Sequence, residues 1–210
     1  MRPYVYPETI DLIVEEYDLG AEAREAEAGW WRGEGLSFSA VIDCVGQAEL
    51  FGKRHPHQYR LSAAALAEGT DALRAISGQL ENAPDFLQLW FLVQAAFRPI
   101  HGLGELAVYD ATERLRHRLG LESTHLIYLH AGARVGARRL AGGRLKRESA
   151  WGILRCDIPE GLRQLSTHEI EDVLCIYKDE LLLSPQQFRA RRSGGSVRGC
   201  APPSESRPSC

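Results

Sequence analysis

No apolar run in this 210-residue chain approaches the roughly 18 to 20 residues needed to cross a bilayer, and the amino terminus lacks the basic-then-apolar order of a secretory leader. These absences point to a cytoplasmic protein with no membrane partner. The five cysteines (Cys44, Cys156, Cys175, Cys200, Cys210) include no C-x-x-C pair, and their odd number argues against a closed disulfide framework. Cys44 and Cys175 lie among apolar neighbours and read as small buried hydrophobes, and for Cys175 that is a poor setting for a reactive thiolate. Also missing are a G-x-S-x-G elbow, a P-loop, H-E-x-x-H and zinc-ribbon spacing. No internal repeat and no sustained strand alternation is present. No self-consistent active site emerges, and no cofactor is implied.

What is present is enough apolar material for one sizeable core, since 44% of residues are hydrophobic. The formal net charge of −3 hides an asymmetry. Residues 1–36 set three arginines against nine carboxylates, whereas 113–147 set nine basic residues against two acidic ones. Such a field can attract an anionic polymer, or it can be neutralised by the acidic segment packing near the basic one.

The pattern along the chain is helical almost throughout, which predicts an all-α or nearly all-α fold. Ile10, Ile13, Val14 and Tyr17 recur at helical spacing after Pro7, and Gly29 to Gly35 reads as a break carrying Trp30 and Trp31. Ser37 to Leu50 and the Ala/Leu-rich stretch Gln58 to Leu80 read as helices, the second open to division at Gly69 or Gly78. Phe86 to Phe97, apolar almost all round, is expected to be a central packed helix that ends at Arg98-Pro99. Glu105 to Leu119 follows, with Gly120 as its carboxyl-terminal cap. Ser123 to Leu129 reads as a short helix or strand. Ser166-Thr167-His168-Glu169 is a capping box that opens a helix through Ile170, Val173, Leu174 and Tyr177. The predicted organisation is an acidic helical arm over 1–36, a helical globular domain over 37–192, and a disordered Ser/Gly/Pro/Arg-rich tail over 193–210.

Between the two strongest helical patterns lies Pro99-Ile100-His101-Gly102-Leu103-Gly104. Its two glycines permit a tight turn, Ile100 and Leu103 supply apolar anchors, and a helix that starts at Gly104 aims its first N–H groups outward. Phe86 to Leu121 resembles a helix-hairpin-helix element, as used by non-sequence-specific DNA-binding proteins and a superfamily of DNA glycosylases. The resemblance implies phosphate-backbone binding at Gly102, Leu103 and Gly104 with little sequence preference, DNA ahead of RNA. It does not carry a glycosylase mechanism: Glu105 follows the second glycine where a polar or basic residue is usual, no lysine stands there, and Asp110 comes too early for the catalytic aspartate.

Arg114 and Arg118 on the following helix, with Arg134, Arg138 and Arg139, extend the expected anion-binding surface. Gly132, Ala133, Gly136 and Ala137 make a face of minimal bulk that suits either a sugar-phosphate backbone or a packed helix. Asp110 and His57 are the acid/base candidates if the protein is a nucleic-acid-processing enzyme. Asp110 also stands in the order for a helix salt bridge with Arg114. His55 and His57 could ligate a metal with His101 or His130, though no metal is predicted. Glu171-Asp172 and Asp179-Glu180 read as solvated pairs. A protein-interaction module, docking a partner or a second copy through its charged faces, is the remaining alternative.

Overall fold

The computed structural model describes residues 4–33, 35–55, 58–121, 126–142 and 152–193. Within them the chain is mostly helical and builds two adjoining apolar cores. Helices α1 (Pro7–Asp18) and α2 (Ala21–Arg32) open the chain, followed by α3 (Phe38–Gln47) and the two-residue antiparallel ladder β1 (Glu49–Leu50) with β2 (Lys53–Arg54). Then come α4 (Ala63–Ala75), α5 (Ser77–Glu81), α6 (Phe86–Phe97) and α7 (Glu105–Leu119). Strand β3 (Leu126–Tyr128) pairs antiparallel with β4 (Gly152–Leu154) around α8 (Ala131–Leu140), and α9 (Thr167–Ile176) and α10 (Pro185–Ser193) complete the order.

Side-chain caps set several of these starts. Ser37 and Ser62 accept from the Ala40 and Ala65 amides at 3.2 and 3.1 Å, and Asp85 accepts from Gln88 at 2.8 Å, each satisfying an N–H that the first turn leaves open. The nearly all-α expectation holds, with two small ladders as the β content among the described residues. Ser123–Leu129 resolves to a strand over Leu126–Tyr128, where Ile127 and Tyr128 are buried against the helices. Three other expectations shift, the first being the helix read over Ser37 to Leu50, which ends at Gln47 with Glu49–Leu50 in β1. Gly29, Trp30 and Trp31 continue α2 instead of breaking it, because burying Trp31 and its bond to Glu27 (Nε1 to Oε1, 3.2 Å) outweighs the roughly 1 kcal/mol cost of a helical glycine. Gly69 lies inside α4, and the break falls at Ile76.

The first core gathers Trp31, Ile42, Leu73, Leu89, Val93 and Leu115 from α2, α3, α4, α6 and α7. The second gathers Ile10, Ile13, Ile127, Leu162, Ile170 and Leu174 from α1, β3, the turn before α9, and α9 itself. The acidic amino-terminal segment serves both, α1 packing on α9 and α10 and α2 on α7. Gly136 faces α9 so closely that a Cβ there would run into the Leu174 backbone carbonyl, which lets α8 and α9 lie against each other. The small-residue face of α8 is therefore a helix-packing seam.

Candidate functional site

Glu105, Tyr109, Glu113 and His117 recur every fourth residue on α7 and so share one face. That stripe borders the second core. Arg134 of α8 pairs with the Glu105 carboxylate, and the His130 ring lies 5.5 Å from that of Tyr109. His168 meets the next two positions: its Nδ1 is 3.1 Å from the Tyr109 hydroxyl and 3.5 Å from Glu113 Oε2.

The capping box places His168. Ser166 accepts from the Glu169 amide at 3.3 Å, and Glu169 accepts from the Ser166 amide at 2.8 Å, so α9 starts with His168 in its first turn and Asp172 one turn on. His168 Nε2 is 3.8 Å from Asp172 Oδ2, which also accepts from the Tyr17 hydroxyl at 2.9 Å. Beside this, His130 caps α8, its Nδ1 accepting from the Gly132 amide at 3.1 Å while its Nε2 sits 2.6 Å from Glu171 Oε1. Arg116 closes the other side, donating from Nε to Glu113 at 2.8 Å and from Nη1 to the Leu121 carbonyl at 3.3 Å, with Nη2 3.2 Å from His117 Nε2. A pocket of about 10 Å³, lined by Tyr109, Glu113, Thr167 and His168 with Phe86, Leu126 and Tyr128, opens at the centre.

The electrostatics follow from burial against charge. Burial would raise the Glu113 carboxyl, but His168 and Arg116 hold it below the usual range. Burial lowers His168, yet Glu113, Asp172 and Glu171 more than offset this and leave it raised. His117 is pulled down to about 4 by burial and the Arg116 charge, so it is neutral at pH 7. His130 goes the other way, to about 10: burial is outweighed by its contacts with Cys175 and Glu171. Desolvation raises the Glu171 carboxyl and pushes the Tyr109 phenol well up. Two overlapping donor groups result, Glu113 with His117 and His168, and His168 with Glu171 and Asp172.

Sequence reasoning missed this site. Its signals were the i, i+4 pair Glu113/His117 and the polar spacing His168/Glu171/Asp172/Cys175. Neither declares burial, and Glu171, which reads as solvated, is only 1% exposed.

The residues the sequence singled out are scattered by comparison. Gly102 takes φ +97 in the turn between α6 and α7, Ile100 and Leu103 are buried in the first core, and Gly104 is the N-cap of α7 with no side chain capping it. Arg114 is buried, 3.1 Å from Gln58 Oε1, 3.8 Å from Asp110 and over the Trp31 ring. Asp110 accepts from Gln58 at 3.0 Å, so it is a salt-bridge partner inside the fold. Arg118 donates to the carbonyls of Arg32, Gly33 and Leu36, and Arg139 to Asp179 and the Lys178 carbonyl. Arg134 also donates to the Leu129 carbonyl at 2.8 Å, and Arg138 is half-exposed on α8. His55 pairs with Glu27 at 3.7 Å and His101 is exposed on the hairpin. His57 and the 193–210 tail beyond Ser193 lie outside the described residues. Among the described residues, neither donor cluster contains His55, His101 or His130.

The fold and site define a mostly helical protein with a glycine hairpin and a partly buried histidine–carboxylate seam. No protein-family model, curated protein or solved structure matches the chain. No described helix is long and apolar enough to cross a membrane.

Proposed function

We propose that the protein binds the phosphate backbone of a polynucleotide at the Gly102–Gly104 hairpin, with little dependence on base sequence. The observation that carries this reading is the uncapped start of α7. The first hydrogen bond of that helix runs from the Val108 amide to the Gly104 carbonyl at 3.1 Å, so the amides of Glu105, Leu106 and Ala107 precede it and aim out along the axis. They open beside a cleft of about 480 Å³ lined by Trp90, Gln94, Arg98, Leu103, Gly104, Glu105 and Val108. Arg98 is exposed where it lines the cleft, and His101 is exposed on the hairpin. The Glu105 carboxylate, which would repel a phosphate, is paired with Arg134.

Since Arg114, Arg118, Arg134 and Arg139 are each engaged by groups of the protein itself, the proposed interface reduces to Gly102, Leu103 and Gly104 with Arg98 and His101, and Arg138 on α8 is the remaining arginine of the set. Fluorescence anisotropy with labelled single- and double-stranded DNA and RNA tests it. Affinity is expected to fall steeply with salt, and Arg98→Ala to weaken binding and flatten the salt dependence by about one counterion. Absence of binding at low salt, or binding indifferent to Arg98→Ala and Gly102→Val, would sink the reading.

A further inference from the structure

We propose that Glu113, His117 and His168 form a binding site for one divalent transition cation of the zinc type, which pins α7 to α9 across the junction of the two cores. This is independent of polynucleotide binding and rests on different residues.

The donor geometry comes first. Glu113 and His117 are one turn apart on α7, and His168 approaches them from the start of α9, so that one ligand atom from each lies within 4.8 Å of the others. Arms of about 2.1 Å to a tetrahedral ion imply ligand-to-ligand edges of about 3.4 Å. Glu113 Oε2 and His168 Nδ1 stand 3.5 Å apart. Two imidazoles and a carboxylate form a mixed nitrogen and oxygen set that suits zinc and cobalt better than calcium or magnesium, which take oxygen ligands.

The surroundings supply a second, independent argument. A metal-bound histidine characteristically turns its other ring nitrogen to a carboxylate that is itself hydrogen-bonded. His168 approaches this arrangement: with Nδ1 at the site, Nε2 faces Asp172 Oδ2 at 3.8 Å, an ion-pair contact longer than a hydrogen bond, and Asp172 is held by the Tyr17 hydroxyl. A pocket of about 10 Å³, roughly the room one water-sized body needs, adjoins the donor set at Glu113 and His168, although His117 does not line it. The Tyr109 hydroxyl, 3.1 Å from His168 Nδ1, borders that pocket, which has room for a water but not for a substrate. The site is a structural clamp.

Arg116 competes for it. Its guanidinium touches both Glu113 and His117, so it neutralises the same donors and must swing away when the ion enters. Its side chain is 14% exposed, and in swinging away it gives up the Leu121 carbonyl as well as Glu113 and His117. Removing it therefore tightens metal binding, the opposite of what a purely structural arginine would do.

The test uses the full chain, stripped with a chelator and titrated with Co(II), read by visible absorption, and with Zn(II), read by calorimetry and thermal melting. One ion is expected per chain, with the visible bands of a tetrahedral or five-coordinate ion, no thiolate charge-transfer band, and a melting temperature that rises with metal. Glu113→Gln and His117→Ala abolish binding, Asp172→Asn weakens it about 10- to 100-fold, and Arg116→Ala strengthens it. Melting in the absence of metal shows that each variant is folded. Any of four outcomes overturns the proposal: no stoichiometric binding by the native chain, a thiolate band, binding unchanged in folded Glu113→Gln and His117→Ala, or binding seen only in Arg116→Ala.

Discussion

His130 Nε2 and Glu171 Oε1 meet at 2.6 Å where the start of α8 lies against α9, with the Glu171 side chain 1% exposed. The pair ties a helix cap to the polar face of α9, because the same imidazole accepts the Gly132 amide through Nδ1. It also stores a pH dependence. The His130 pKa stands at about 10 in the folded chain against about 6.5 when unfolded.

A group whose pKa is raised on folding stabilises the native state fully below its unfolded value, and that contribution drains away as pH rises through the folded one. The native chain is therefore expected to lose stability between about pH 6.5 and about 10. In Glu171→Gln that alkaline slope is expected to flatten in part, because Cys175 also raises His130. Urea midpoints at pH 6, 8 and 9.5 check this, and parallel curves for the two proteins would show that another group titrates.

Gly136→Ala is expected to destabilise the protein by about 1–3 kcal/mol although alanine is the better helix former. The added methyl meets the Leu174 backbone carbonyl, which cannot rotate away as a side chain could. A urea midpoint equal to that of the native chain would mean that α8 slides freely on α9.

The two hairpin glycines should separate. Gly102 holds φ +97, so Gly102→Ala is expected to cost about 1–2 kcal/mol through left-handed strain. Gly104 has φ −94 and open space around its missing Cβ, so Gly104→Ala should leave the melting temperature within error. Equal losses at both positions would contradict this division.

Arg114→Ala is expected to cost about 2 kcal/mol, because it strips Asp110 and Gln58 of a buried cationic partner. Polynucleotide affinity measured below the variant's melting transition should match the native value. A selective loss of affinity without loss of stability would return Arg114 to the binding surface.

Much of the architecture was legible in the chain because local signals agree with it. Pro7, the Ser166 box, the Pro99 stop and the Gly120 cap all mark helix ends where the structure has them. The hairpin's apolar anchors, Ile100 and Leu103, were readable from their alternation with glycine. The seam was not readable, since its residues come from α7, α8 and α9 and each looks, within its own helix, like an ordinary solvated side chain. Arginines misled for the same reason: Arg114 and Arg118 carry the charge a phosphate would want, but the charge is spent on Asp110 and on backbone carbonyls at the end of α2.

By itself, then, the sequence determined most helix starts, several helix ends and which faces are apolar, because capping, proline and glycine chemistry and 3.6-residue periodicity act within a few residues. Only the tertiary structure decided which polar groups are buried and whom they face. Whether Glu113, His168 and Glu171 meet water or one another depends on two cores adjoining along α7, an arrangement set by long-range packing.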